Sequence, residues 1–166
     1  MATIQSRSGP IQTSGELPAT GTKAQDFELI AKNMSRVSMA DYQGSRLVLN
    51  IFPSLDTGTC AASVRNFNQL AGKLPDTKVL CISRDTPFAQ NRFCGAEGLE
   101  NVITLSDIET GKFGKDYGLQ ISDGKMKGFL SRVVIIVDVD GIVQYTQQVQ
   151  MISDEPNYDE VVAALN

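Results

Sequence analysis

The chain has 166 residues, 15 Lys and Arg against 19 Asp and Glu for a formal net charge of −4, three cysteines and no histidine. Without histidine there is no Ser-His-Asp or Cys-His nucleophile pair and no His-ligated metal. Chemistry near neutral pH then falls to Cys, a carboxylate, Lys, Tyr or a borrowed cofactor. The acidic balance, with no Lys/Arg run, argues against a nucleic-acid partner. The longest aliphatic run, residues 133–137, is far short of the roughly 20 residues of a membrane span. A polar N-terminus without the apolar core of a secretory signal makes the expected location cytoplasmic, where three cysteines do not make a disulfide scaffold. The length fits a single domain over residues 1–166.

Residues 3–14 read as two short polar strands turning at Gly9-Pro10, so residues 1–15 form an N-terminal hairpin. A Pro/Gly/Thr-rich linker follows, then a strand over 26–30 and a strand end or short helix over 37–42. Residues 46–52 (RLVLNIF) have the near-continuous apolar character of a strand covered on both faces. A helix is expected over about 60–73, with Val64, Phe67, Leu70 and Ala71 on one face. Residues 78–83 form a second buried strand. Asp85-Thr86-Pro87 then opens a helix that carries Phe88, Arg92 and Phe93 and weakens at Gly95 and Gly98. After a strand over 102–105 and a short helix over 111–117, strands over 132–138 and 142–149 flank Asp140-Gly141, a hairpin signal. Asn157 with Glu160 caps a terminal helix. The pattern implies an α/β fold: parallel βαβ units and one antiparallel pair in a mixed sheet covered by helices.

The strongest chemical signal is NIFPSLDTGTCAASVRNF. A buried strand ends at Pro53, a loop of small polar residues follows, and Cys60 falls in the first turn of an amphipathic helix. Thr57 as N-cap places Cys60 at N3, where unpaired backbone N–H groups and the helix dipole favour negative charge. Cysteines so placed ionise more readily, and the thiolate is the reactive form. The competing reading is an inert buried cysteine, disfavoured by the polar loop and by a location beyond the carboxyl end of a parallel strand. Cys94, in NRFCGAEG, is either an ordinary helix cysteine or one that a glycine-weakened helix releases by local unwinding. Cys81, among apolar neighbours in VLCIS, reads as core. The spacing of the three matches no zinc-knuckle pattern. Arg132 is either a solvated strand-end charge or a fixed cation for the Cys60 thiolate, with Arg65 as a weaker rival.

The array Pro53-x-x-x-Thr57-x-x-Cys60, the block LCISRDTPFAQNRFCGAEGLENVITLSD and Arg132 together resemble the peroxiredoxins, and within them the bacterial thiol peroxidase subfamily of atypical two-cysteine enzymes. The similarity runs over nearly the whole chain. It implies a thioredoxin-like mixed β-sheet flanked by helices, a homodimer, and no metal or organic cofactor. It also implies catalytic roles: Cys60 as peroxidatic thiolate, Thr57 and Arg132 as holders of the peroxide oxygens, Pro53 as a shield from water, and Cys94 as the thiol that resolves a Cys60 sulfenic acid into an intramolecular disulfide. The implied substrates are organic hydroperoxides and hydrogen peroxide, with thioredoxin as reductant. Because disulfide geometry demands Cα atoms about 4.4–6.8 Å apart and the two cysteines fall on different helices, closure is expected only after local unwinding around both. A thioredoxin-type disulfide oxidoreductase is disfavoured by the lack of Cys-x-x-Cys. A non-enzymatic redox-sensing module switched by the same disulfide is the remaining alternative.

Overall fold

A computed structural model describes residues 2–166. In chain order the elements are β1 (Thr3–Ser6), β2 (Gly9–Gln12), β3 (Glu28–Ala31), β4 (Arg36–Ser38), a 3-10 turn (Met39–Tyr42), β5 (Arg46–Ile51), α1 (Gly58–Ala71), β6 (Thr77–Ser83), α2 (Pro87–Glu97), β7 (Val102–Ser106), α3 (Lys112–Asp116), β8 (Val133–Val137), β9 (Val143–Gln148) and α4 (Tyr158–Leu165). Seven strands form one mixed sheet in the order β4-β3-β7-β6-β5-β8-β9, and β1 with β2 form a separate antiparallel hairpin. β5, β6 and β7 are parallel, joined by crossovers through α1 and α2.

The apolar runs explain the layering. In β5, Leu47, Leu49 and Ile51 join one core cluster with Leu80, Ile82 and Ile135, roofed by Phe113 and Tyr117 around α3. Val48 points the other way, joining Val79, Cys81, Val134 and Ile136 under Val64 and Phe67 of α1 and Val161 and Leu165 of α4. This is the period-2 alternation of a strand with both faces covered. Burying a side chain the size of Phe67 stabilises the fold by about 2–3 kcal/mol.

Two expectations need correction. Gly9-Pro10 is not the hairpin turn: the turn is Arg7-Ser8, and Gly9 and Pro10 belong to β2, paired with Ser6 and Gln5. The Ser6 hydroxyl closes the turn by donating to the Gly9 carbonyl at 2.8 Å. The main sheet also holds more than one antiparallel pair, since β3–β4, β3–β7, β5–β8 and β8–β9 all run antiparallel. A four-residue strand such as β3 shows its alternation but not its partner.

The hairpin is anchored to the segment before β8. The Gln12 amide donates to the Asp123 carboxylate at 2.8 Å, and the Ser14 amide to the Gln120 carbonyl at 2.7 Å. Gly118 makes the crossing possible: its φ is +69°, and a Cβ there would stand 2.3 Å from the Glu16 carbonyl oxygen. The anchoring brings residues 6–11 over the loop that leaves the carboxyl end of β5.

Candidate active site

β5 ends at Ile51, and the chain turns through residues 53–56 into α1. Thr57 is the N-cap: it is extended, and its hydroxyl oxygen accepts from the Cys60 amide at 3.2 Å. The same hydroxyl donates to the Ser54 carbonyl at 3.2 Å. Cys60 therefore occupies N3, in the turn whose N–H groups and dipole favour an anion. Its side chain is fully buried, in the cluster that also holds Phe52, Leu55 and Val64. The turn is held from outside as well, because the Thr59 hydroxyl donates to the Ser153 carbonyl at 2.9 Å.

A cavity of about 570 Å³ opens against this turn. Pro53, Thr57, Gly58 and Arg132 line it, faced by Pro10, Ile11, Met126 and Ile152. Cys60 lies beneath this lining rather than in it. Arg132 precedes β8 and is only 2% exposed, so it is not a solvated strand-end charge. Its Nε donates to the Ile152 carbonyl at 2.9 Å, and its Nη1 is buried without a hydrogen-bond partner among the described residues. A guanidinium pinned by one nitrogen with another donor unspent is prepared to receive an oxygen acceptor. Arg65 is no rival: it lies exposed and makes a bidentate pair with Glu97 at 3.1 and 3.2 Å.

The structure therefore brings Cys60, Thr57, Pro53 and Arg132 to one place. It does not bring Cys94 there. Cys94 is half-buried in the intact helix α2 and lines a separate cleft of about 710 Å³ with Lys32, Asn91 and Leu99. Burial pushes its thiol above the ordinary value, with Lys32 opposing. α2 ends at Gly98, whose φ of 66° is left-handed and whose amide bonds back to the Cys94 carbonyl. Cys81 is fully buried in β6, and burial pushes its thiol up to about 12. All three cysteines are free.

Sequence reasoning missed several residues that build the site. Ile152 and Ser153 supply the carbonyls that hold Arg132 and the first turn of α1. The Asp85 carboxylate accepts from the Ser54 hydroxyl and the Leu55 amide, both at 2.8 Å, and from the Ser83 hydroxyl at 2.7 Å. Its partners in the loop are about 30 positions away, so no local pattern marks it.

Known proteins resemble this chain over its whole length. The Redoxin family model matches residues 19–162. A thiol peroxidase of Corynebacterium glutamicum is 51% identical over 166 residues, covering all of both chains. A thiol peroxidase of Mycobacterium bovis is 48% identical over 165 residues, 99% of each. The crystal structure of a peroxiredoxin-like protein from Aquifex aeolicus superposes with a TM-score of 0.93 at 33% identity, covering 99% of this chain and 96% of that one. A thiol peroxidase from Chromobacterium violaceum, at 20% identity, shares the fold with a TM-score of 0.92 over 99% of this chain and 96% of that one. The sheet flanked by helices, with its N-terminal hairpin, is the thioredoxin-like fold of these structures. The chain belongs to the redoxin family, with the thiol peroxidases of the peroxiredoxin group.

Proposed function

We propose that this chain is a thiol-dependent peroxidase whose chemistry runs on Cys60. The Cys60 thiolate attacks one peroxide oxygen and the O–O bond breaks. The leaving oxygen departs as alkoxide or hydroxide, takes up a proton, and leaves a sulfenic acid on the sulfur. Charge develops on the leaving oxygen, and the free Nη1 of Arg132 and the Thr57 hydroxyl are the groups that receive it. Pro53 closes the water side of the pocket. The Cys94 thiolate then attacks the sulfenic sulfur, and a disulfide and water form. A dithiol of the thioredoxin kind reduces that disulfide by exchange.

The observation that carries this reading is the unpartnered Nη1 of Arg132, at a cavity whose floor is the capped turn holding Cys60. No histidine base is needed. The apolar wall of Pro10, Ile11, Met126 and Ile152 suits the carbon side of an organic hydroperoxide, with hydrogen peroxide as the smaller substrate. A dithiol cycle belongs in a reducing compartment, the cytoplasm. The exposed rings of Phe88 and Phe129 suit burial against a second copy in a homodimer. No helix is long and apolar enough to cross a membrane among the described residues.

The test is turnover. With thioredoxin, its reductase and NADPH, the wild-type chain is expected to consume many equivalents of cumene hydroperoxide, and Cys60→Ser none above background. Consumption that stops at one equivalent per chain would instead identify a redox-sensing switch.

A further inference from the structure

Asp85 lies outside the cavity, yet its half-buried carboxylate holds the loop on which the cavity is built. One oxygen accepts from the Ser54 hydroxyl at 2.8 Å, and the other from the Leu55 amide at 2.8 Å and the Ser83 hydroxyl at 2.7 Å. Ser54 passes the constraint on. Its carbonyl accepts from both the amide and the hydroxyl of Thr57, each at 3.2 Å, and its hydroxyl accepts from the Asp56 amide at 3.1 Å. Thr57 in turn caps Cys60. The other end of the anchor is the sheet: Asp85 follows β6, its amide donates to the Ser83 hydroxyl at 3.3 Å, and its carbonyl accepts from the Ser106 hydroxyl of β7.

We propose that Asp85 is a positioning residue of the peroxidase reaction: it clamps loop 53–57 to the ends of β6 and β7 and so fixes Thr57 and the first turn of α1 in the geometry that peroxide attack requires. The proposal rests on Cys60 being the peroxidatic thiol. Charge-assisted bonds to a carboxylate are among the stronger restraints available to a loop. Three donors converge on this one, so its loss frees Ser54 and Leu55 together. Peroxide attack needs an in-line approach with the peroxide oxygens held at Thr57 and Arg132, whereas iodoacetamide makes no use of those groups and needs only that the turn open far enough to expose the buried Cys60. The two reactions should therefore respond differently to a loosened loop.

The experiment compares the two rates on reduced protein well below its melting temperature. In Asp85→Ala, oxidation of Cys60 by cumene hydroperoxide should slow on the order of tenfold, while iodoacetamide alkylation of the buried Cys60 does not slow. Asp85→Asn should recover part of the peroxide rate and be faster than Asp85→Ala. Its Oδ1 keeps Leu55 and Ser83, and its Nδ2 donates to the Ser54 hydroxyl, so bonding rather than charge is preserved. A peroxide rate in Asp85→Ala equal to wild type, a parallel fall in alkylation, or an Asn variant as slow as Ala would overturn the proposal. If Asp85→Ala does not fold, Ser54→Ala carries the test, with an expected drop of about threefold in the peroxide rate alone; no drop overturns it. Wild-type Cys60 that is not oxidised by the hydroperoxide would defeat the peroxidase reading itself, a result distinguishable from a normal wild type with indifferent variants.

Discussion

The first turn of α1 and the last turns of α2 are built in opposite ways. Around Cys60, the Thr57 cap, the Thr59 bond to Ser153 and the Asp85 clamp on Ser54 and Leu55 tie the turn down. Cys60, Ala61, Ser63, Val64 and Phe67 are all buried. Around Cys94 little holds. In α2 only Pro87 and Gln90 are buried, both in its first half, and the Cys94 end is exposed or half-exposed. α2 runs through Gly95 to Glu97, and an exposed Arg65–Glu97 pair and the half-buried Phe93 are its side-chain links to α1 and the core beneath it. Helix ends with few buried contacts open at low free-energy cost. In the proposed cycle, the thiol that meets peroxide sits on the anchored turn, and the thiol that resolves it sits on the segment with fewer buried side chains.

The largest effect expected from breaking this pairing is Cys94→Ser. Cys60 should still react with one equivalent of peroxide to give the sulfenic acid, steady turnover with thioredoxin should then cease, and a second equivalent of peroxide should oxidise the sulfenic acid to sulfinic acid. Mass spectrometry of the treated variant should find sulfinic acid on Cys60. Next is Arg132→Ala, which removes the unspent donor. It should lower kcat/KM for peroxide on the order of a hundredfold, measured as hydroperoxide-dependent NADPH oxidation. A third test sharpens the contrast in anchoring. Phe67→Ala, under α1, should cost about 3–5 kcal/mol in urea unfolding. Phe93→Ala, half-buried in α2, should cost less than about 2 kcal/mol. Equal costs would remove the difference between the helices.

The smallest effect concerns pH. Burial holds the Cys81 thiol at about 12 against an ordinary 9.0, so the folded state keeps a proton that the unfolded state releases above about 9. That contribution to stability is complete below pH 9 and is lost as pH rises toward 12. The raised Cys94, Tyr117 and Tyr158 act in the same direction. Tm should therefore decline above pH 9, less steeply in Cys81→Ala. Thiol alkylation of native protein at pH 8 should spare Cys81.

What could be read in the sequence follows from how local each signal is. The Thr57 cap and Cys60 at N3 span four residues, and the cap at Thr86 with Pro87 spans two, so both helix starts were legible. So were β5, β6 and β8, whose apolar runs reflect burial on both faces. Gly9-Pro10 misled because Gly9, with a φ of +113°, serves the strand after the turn rather than the turn itself. The placement of β3 at the far side of β7 was invisible, since four residues carry no record of their partner. Arg132 was visible as a cation at a strand start. Its pinning by Ile152, the wall made by the N-terminal hairpin and the Asp85 clamp are contacts between distant positions that only folding creates.

In the proposed cycle an anchored Cys60 and a releasable Cys94 are the working pair. Titrating reduced protein with one equivalent of hydroperoxide, counting thiols and mapping the linked peptides tests it directly. Loss of two thiols, a Cys60–Cys94 disulfide and a free Cys81 are expected. A link through Cys81, or three thiols remaining after the peroxide is consumed, would contradict it.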